Sequence, residues 1–286
     1  MRIFNFGSIN IDHVYRVGHF VQPGETLGVS SYQRFLGGKG ANQSLALARA
    51  GAAVSHVGAV DADSQWAVDY LQHDGVDSQW IATADTPTGH AIIQVDDSGE
   101  NCILIDAGAN ATLDEQRVAT VLASADPTDW VLLQNETSAV AATARLAAAK
   151  GLPVAYNPAP FDADAVTAVL PHVRLLIVNG TEFEALSKTL EDALPSHLDL
   201  LITHGDVGAE LRYDGEQIFV PALKVNAVDT TGAGDTFIGY YLASQLAGLD
   251  KVSSLERAAA ASALCVSRAG AAESIPHAAD VAKLLS

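Results

Sequence analysis

The chain has 286 residues, of which 49% are apolar and 17% are charged, and its formal net charge at pH 7 is −18. This length fits one large domain with an accessory element, or two domains. The negative charge argues against a nucleic-acid partner and against binding to an anionic membrane surface, and no apolar stretch approaches the ~20 residues of a membrane span.

The two cysteines, Cys102 and Cys265, are too few for a disulfide framework and have no metal-ligand spacing around them. Residues 1–7 contain neither a sustained apolar run nor a cleavage site, so we expect no signal peptide. These features predict a protein of the reducing cytoplasm.

The first predicted strand, Ile3 to Ser8, leads into Asn10 and Asp12. These two polar residues alternate with apolar ones, so both can face the same side. They fit a pair of hydrogen-bonding groups for sugar hydroxyls, and they also fit a turn that uses Asn and Asp for local hydrogen bonds. Taken alone, the segment favours the turn.

Two stretches predict a small antiparallel element, which we call the lid, within an otherwise alternating β/α chain. Residues 13–36 alternate loosely around a Pro-Gly turn, and residues 89–107 form a predicted hairpin around the turn Asp96–Glu100. The small residues that follow, up to Ala111, could form a hinge.

A glycine-rich segment, residues 36–44, opens a helix that Gly51 ends. Its pattern is neither a P-loop nor the dinucleotide fingerprint. Lys39 and Asn42 at the helix start could hold a polar ligand or an anion, or the segment could be an ordinary glycine-rich helix entry. The sequence leaves both interpretations open.

From Trp130 onward, short apolar strands alternate with helices. Strands are predicted at residues 130–134, 153–156, 175–178 and 200–203, and later helices at residues 237–246, 255–266 and 278–285. This alternation predicts an α/β fold in a single domain, with a mainly parallel central sheet covered by helices on both faces.

Polar residues and glycines cluster where the predicted strands end. These are Asn10, Asp12, Glu136, Asn157, Asn179, Glu182, Gly205 and Gly208. Ligands of open parallel sheets bind beyond the carboxyl ends of the strands, so the clusters predict a binding site at this edge of the sheet.

The segment Asp229–Phe237 joins an apolar strand, predicted at Leu223–Val228, to a long apolar helix. The small residues Gly232–Gly234 leave backbone N–H groups uncovered at the helix start, where a phosphate or a developing oxyanion fits. Asp235 in the first turn could accept a proton from an attacking hydroxyl. An isolated segment of this kind is more often a helix start in which Asp235 complements the helix dipole.

Six segments, in order along the chain, resemble the motifs of the ribokinase-like (PfkB) family of carbohydrate kinases. They are Gly7–His13, Gly37–Gln43, Asn157–Pro160, Asn179–Glu182, Thr203–Gly208 and Asp229–Phe237. The resemblance covers essentially the whole chain. It implies ATP-dependent phosphorylation of a sugar's primary hydroxyl, with D-ribose 5-phosphate as the expected product, and commonly a homodimer formed through the lid.

The resemblance also implies a role for each motif. Asp235 would be the general base, and the backbone amides of Gly232, Ala233 and Gly234 would form an anion hole. The sugar would be held by Asn10, Asp12, Gly38, Lys39, Asn42, Glu136 and Asp235.

Sites for ATP, Mg²⁺ and an activating monovalent cation, usually K⁺, are implied in the same way. The nucleotide and Mg²⁺ would be bound by Asn179, Glu182, Thr203, Gly205, Gly208 and Gly234. The monovalent cation would lie beside the anion hole and be bound, mostly through backbone carbonyls, by Asp229, Thr231, Cys265, Arg268, Gly270 and Ser274.

Three residues depart from the family pattern. Ala259 stands where the family often has His or Asn near the adenine, which leaves the nucleotide preference open. His90 and Asp106 lie in the predicted lid hairpin, and Asp106 could face the sugar and shift specificity.

Other activities stay open at this point: a kinase for another free sugar or a nucleoside, and a non-catalytic sugar or nucleotide sensor on the same fold. Asp12 and Asn42 fit a free sugar better than a nucleoside, whose base needs an apolar or aromatic slot. The intact Asp235 disfavours a sensor, and the absence of G-x-G-x-x-G after the first strand disfavours a dinucleotide oxidoreductase.

Overall fold

A computed structural model of the protein describes residues 1–190, 194, 195 and 197–286. Its strands are β1 (Ile3–Phe6), β2 (Asn10–Arg16), β3 (Ser31–Gly37), β4 (Val54–Val60), β5 (Asp77–Thr83), β6 (Gly89–Val95), β7 (Asn101–Asp106), β8 (Trp130–Gln134), β9 (Val154–Asn157), β10 (Leu175–Asn179), β11 (Asp199–Thr203), β12 (Gly208–Tyr213) and β13 (Glu216–Pro221). Its helices are α1 (Lys39–Arg49), α2 (Gln65–His73), α3 (Glu115–Leu122), α4 (Val140–Ala149), α5 (Ala163–Val169), α6 (Gly180–Leu190), α7 (Ala233–Leu246), α8 (Lys251–Val266) and α9 (Ala278–Leu285).

Within the described residues, nine strands form the central sheet, in the order β13-β12-β11-β10-β9-β8-β1-β4-β5. The run from β11 to β5 is parallel, and β12 and β13 add an antiparallel hairpin at one edge. The carboxyl ends of the parallel strands therefore meet along one edge, where the polar clusters of the sequence lie.

Helices cover both faces of this sheet, as the alternation of strands and helices predicted. Helices α1, α2, α7, α8 and α9 pack on one face, and α3, α4, α5 and α6 pack on the other. Successive strand residues serve opposite cores: Leu132 belongs to the first core, and its neighbours Val131 and Leu133 belong to the second. Strands that are buried on both faces read as continuous apolar runs.

The lid is a second, four-stranded sheet in the order β3-β2-β6-β7. Its outer pairs, β2 with β3 and β6 with β7, are antiparallel as the sequence predicted. The two pairs join through a parallel pairing of β2 with β6 that runs over seven residues, from Asn10 opposite Gly89 to Arg16 opposite Val95.

One predicted strand is wrong: Leu223–Val228 is an irregular segment. The backbone N–H of Val228 bonds to the carbonyl of Val266 at 2.7 Å, so it has no strand partner. The apolar side chains in this segment line a cleft beside α8, which explains the apolar run without a strand.

Some elements escaped prediction because their patterns are short or weakly apolar. Strand β5 begins with three polar residues at the edge of the sheet. Helices α3 and α5 have only eight and seven residues. Their caps, Asp114 and Asp162, each accept a hydrogen bond from a backbone N–H three residues ahead, and these aspartates were the available signal.

Helices α1 and α7 pack closely at a single glycine. A Cβ atom added at Gly239 would lie 2.4 Å from the Cβ of Ala46 and 2.9 Å from the backbone of Leu47. The absent side chain thus lets the two helices approach each other, which brings the first turns of both to the same place.

No helix in the described ranges combines the length and the apolarity that a bilayer crossing requires.

We expect Gly239→Ala to destabilise the fold by about 1–3 kcal/mol, the usual range for overpacking a filled core. Thermal or urea unfolding measures this loss. Gly180→Ala is the matched control, since a Cβ at this helical glycine would meet its nearest neighbour at 3.7 Å, and alanine favours a helix over glycine. Equal stability of Gly239→Ala and the wild type would contradict the close approach.

Candidate active site

Asp235 lies in the first turn of α7, at the meeting point of α1 and α7. Gly232 caps the helix in the left-handed conformation, with φ of 75°, which glycine adopts without strain. The Asp235 carboxylate is buried and accepts one hydrogen bond from Asn42 Nδ2 at 3.0 Å and one from Gln43 Nε2 at 2.8 Å.

Burial raises the pKa of Asp235, and the positive charge of Lys39 and the two amide donors partly offset that rise. A raised pKa makes a carboxylate a stronger base while leaving it ionised above that pKa. Asp235 is therefore suited to accept a proton.

Glu136 holds the start of α1. Its Oε2 accepts a hydrogen bond from the backbone N–H of Lys39 at 2.9 Å and another from the hydroxyl of Ser8. Lys39 Nζ lies 4.0 Å from Glu136 Oε1. Burial alone would lower the pKa of Lys39, but the carboxylates of Asp235, Glu136 and Glu182 outweigh it and raise that pKa.

Asn10 and Asp12 begin β2, beside Gly38 at the entry of α1. Asn110 donates from Nδ2 to Asn10 Oδ1 at 2.7 Å and so fixes the orientation of the Asn10 amide. Burial, together with the charges of Glu136 and Glu273, raises the pKa of Asp12 to about 6. Asn110 lies in the segment after β7 that was suggested as a hinge, and it joins this segment to Ile9 and Asn10.

Asn10, Asp12, Lys39, Asn42, Glu136 and Asp235 form a polar cluster, in which one hydrogen-bond acceptor has no partner in the described part of the chain. Asn42 Oδ1 is buried and has no bonding group among the described residues, while its Nδ2 is engaged by Asp235. Buried polar atoms normally have partners, so a ligand hydroxyl fits this position.

A cavity of about 700 Å³ opens on the other side of the α7 start. Five of the six residues predicted to bind nucleotide line it: Asn179, Thr203, Gly205, Gly208 and Gly234. The sixth, Glu182, forms a reciprocal capping pair with Asn179 at the start of α6, with N–H to oxygen distances of 2.9 and 2.8 Å. Ala259 lies in the same cavity, with other apolar residues of α8.

The six residues predicted to bind a monovalent cation lie together beside α7, except that the side chain of one of them lies away from the group. Asp229 accepts hydrogen bonds from Thr231 N at 2.9 Å and from Gly270 N at 3.0 Å. Cys265 Sγ lies 3.0 Å from Ser274 Oγ, and burial raises the pKa of this thiol. The exception, the side chain of Arg268, pairs with Asp280 at 3.2 Å.

The suggestion that Asp106 faces the sugar is wrong. Strand register pairs Asp106 with His90, and His90 with Ile11. Paired residues share a face and alternate residues switch faces, so Asp106 lies on the face opposite to Asp12. The residues paired with Asp12 across the lid, which share its face, are Phe35 on β3, Ala91 on β6 and Ile105 on β7.

Four residues next to the site were not singled out from the sequence: Ser8, Gln43, Asn110 and Gln134. Each is a polar group that bonds to a predicted site residue or to another of the four. The sequence offers little signal for them: Gln43 lies between polar residues at the start of α1, and Gln134 is the last residue of an apolar strand.

Comparison with known proteins supports the same reading of the chain. The model of the pfkB family carbohydrate kinases matches residues 2–278. A ribokinase of Haemophilus influenzae is 35% identical over 287 aligned positions, which cover 94% of each chain. The crystal structure of a Cryptococcus neoformans ribokinase in complex with ADP superposes with a TM-score of 0.88 at 32% identity and covers 99% of both chains.

An Arabidopsis thaliana ribokinase, whose structure contains ribose and ATP, superposes with a TM-score of 0.86 at 28% identity, covering 100% of this chain and 98% of the other. The family match spans nearly the whole sequence, and these relatives align from end to end. The chain therefore belongs to the pfkB family of carbohydrate kinases, as the order of its motifs indicated.

Proposed function

We propose that the protein transfers the terminal phosphoryl group of ATP to the primary hydroxyl of D-ribose and forms D-ribose 5-phosphate. One observation carries this proposal: Asp235 is a buried carboxylate between a polar cluster and a cavity of nucleotide size. Gly234 lines that cavity, and the next residue, Asp235, touches Asn42 of the polar cluster. The relatives crystallised with ADP, or with ribose and ATP, support the same substrates.

The chemistry follows from this arrangement. Asp235 accepts the proton of the sugar hydroxyl as that oxygen attacks phosphorus. The amides of Gly232 and Gly234 at the positive end of the α7 dipole would face the developing charge on the phosphoryl oxygens. The amide of Ala233, which donates to Thr230 O at 3.3 Å in this structure, would have to exchange that bond to join them. The sugar is held by the polar cluster, in which Asn42 Oδ1 supplies an acceptor free for a hydroxyl.

The residues at the cavity also fit Mg²⁺, which binds oxygen ligands and keeps part of its water shell. Asn179, which lines the cavity, and its capping partner Glu182 would supply an amide oxygen and a carboxylate oxygen for the ion. When bound, Mg²⁺ neutralises phosphate charge. The group around Asp229 likewise offers a carboxylate, a hydroxyl and backbone carbonyls, which is an oxygen set suited to K⁺.

We further propose a single kinase domain, residues 1–286, whose lid comprises about residues 13–36 and 89–107. The two free cysteines support a cytoplasmic location, since a reducing compartment keeps thiols unpaired.

The proposal is tested by measuring ADP release from Mg-ATP in K⁺ buffer with a panel of free sugars and nucleosides. We expect turnover with D-ribose above all others. Asp235→Asn should lower kcat at least ~100-fold, because general-base assistance is worth ~10²–10⁴, while ribose binding measured by calorimetry persists. Asp250→Asn is the matched control, because Asp250 caps α8 away from the site. Preference for another sugar would show that D-ribose is not the substrate. An Asp235→Asn variant that keeps its activity would show that Asp235 is not the general base.

The cation proposal predicts higher activity in K⁺ than in Na⁺ at equal ionic strength. Asp229→Ala should remove most of this difference, since it deletes the side-chain carboxylate of the site. Asp280→Ala, which breaks only the surface pair with Arg268, should keep it. Equal rates in both salts for the wild type would rule out activation by K⁺.

A homodimer through the lid is the remaining part of the proposal. On β7, Ile103 and Ile105 on one face of the lid are 47% and 68% exposed, and Leu104 on the other face is 65% exposed. A second lid would cover one of these faces, and the double variant below places a charge on each. The double variant Ile103→Lys/Leu104→Lys should weaken the dimer ~30-fold or more, since burying an unpaired charge costs at least ~2 kcal/mol. Light scattering against concentration measures this, with Leu285→Lys on α9 as the control. A wild type that is monomeric at high concentration would disprove the dimer.

A further inference from the structure

A continuous chain of buried polar side chains runs beneath the site from His56 on β4 to Asp235 on α7. Its links are Gly7 O to His56 Nε2 (3.1 Å), His56 Nδ1 to Ser44 Oγ (2.8 Å), Ser44 Oγ to Asn5 Nδ2 (2.9 Å), Asn5 Oδ1 to Gln134 Nε2 (2.9 Å), Gln134 Nε2 to Gln43 Oε1 (2.7 Å) and Gln43 Nε2 to Asp235 Oδ1 (2.8 Å). No side-chain member is more than 9% exposed, so water does not compete for these bonds.

The His56 end fixes the direction of the first bonds. The group of Gly7 that contacts His56 is a carbonyl oxygen, which can only accept. His56 Nε2 therefore carries the proton and donates it. Burial lowers the pKa of His56 to about 4, so the ring is neutral near pH 7 and Nδ1 accepts. The hydroxyl of Ser44 therefore donates to Nδ1, and its oxygen accepts from Asn5 Nδ2.

The same direction continues through the amides. Asn5 Nδ2 is engaged by Ser44, so Asn5 Oδ1 accepts from Gln134 Nε2. Gln134 Nε2 also donates to Gln43 Oε1, which leaves Gln43 Nε2 facing Asp235. An ionised carboxylate only accepts hydrogen bonds, so both ends of the chain require the same orientation of every amide.

Gln43 is held on a further side by Asn157. Its Nε2 lies 3.2 Å from Asn157 Oδ1, and Asn157 Nδ2 donates to the carbonyl of Ile177 at 3.0 Å. Asn157 thus also presents an acceptor to Gln43. An amide flip of Gln43 would place oxygen against oxygen at both Asp235 and Asn157, and nitrogen against nitrogen at Gln134.

We propose that Gln43, oriented by Gln134 and Asn157, is a positioning residue that holds the Asp235 carboxylate in the orientation required for proton acceptance. This inference rests on the proposed role of Asp235 as the general base. Gln43 binds Oδ1 and Asn42 binds Oδ2, so rotation of the carboxylate would break two bonds. Small misplacements of a catalytic group can cost ~10²-fold in rate.

The Gln43 bond also favours the ionised form of Asp235. The other charged or titratable groups that act on this carboxylate are Lys39 from α1, Glu136 after β8 and Cys265 from α8. Removal of the Gln43 donor leaves these three groups in place, so the titration of Asp235 should move to higher pH.

The test compares Gln43→Met, which keeps the length of the side chain but not its donor, with the wild type. We expect kcat to fall roughly 10- to 100-fold with little change in KM for ribose. The acid limb of the pH–rate profile should move to higher pH. Infrared titration of the Asp235 carboxyl, identified by its loss in Asp235→Asn, should show the same shift without relying on activity.

Two further variants separate positioning from general stability. Gln134→Met keeps Gln43 but removes the hydrogen bond that Gln134 donates to it. It should shift the titration of Asp235 in the same direction by less. It also provides the test if Gln43→Met fails to fold. Ser244→Ala removes a buried hydroxyl of α7 outside the chain, and should lower stability without moving the titration. An unshifted Asp235 titration in both glutamine variants would overturn the proposal, whereas a wild type inactive on every sugar would overturn only the proposed function.

Discussion

The geometry of the site depends on what a buried carboxylate needs. Desolvation of Asp235 is unfavourable unless donors replace the lost water, and both of its amide donors, Asn42 and Gln43, come from α1. Helix α1 must therefore lie against α7, and Gly239 permits that approach. Helix packing and the orientation of the Asp235 carboxylate are thus a single constraint.

The sequence predicted the elements whose cause is local. Apolar runs gave the buried strands, and polar residues after them located the site at the strand ends. Prediction from the sequence failed where a structural feature depends on residues that are distant in the chain but close in space. Leu223–Val228 has the apolarity of a strand, but its apolar residues line a cleft beside α8. The face of Asp106 depends on pairing register, which a one-residue shift inverts. The role of Gln43 was not visible because its partners come from β8, β9 and α7.

The charge of the protein limits how it can attract a nucleotide. With a net charge of −18, the overall field repels ATP. Lys39 does not solve this, because its ammonium group is surrounded by the carboxylates that raise its pKa, Asp235, Glu136 and Glu182. Lys224 is a basic side chain that lines the cavity. Under the proposed function, phosphate would be drawn by Lys224 together with oriented backbone amides at the start of α7 and added cations.

The parallel pairing of β2 with β6 joins the two antiparallel pairs of the lid into one stiff arm. Both strands leave the body at the same level, Asn10 beside Gly89, and stay in register for seven residues. At ~3.3 Å per residue the arm is about 20 Å long. The β2–β3 and β6–β7 pairs cannot slide past each other. A tilt of about ten degrees at the base of an arm of this length would therefore displace its tip by about 3–4 Å. The position of the tip therefore depends on the residues paired at the base, Asn10 and Gly89.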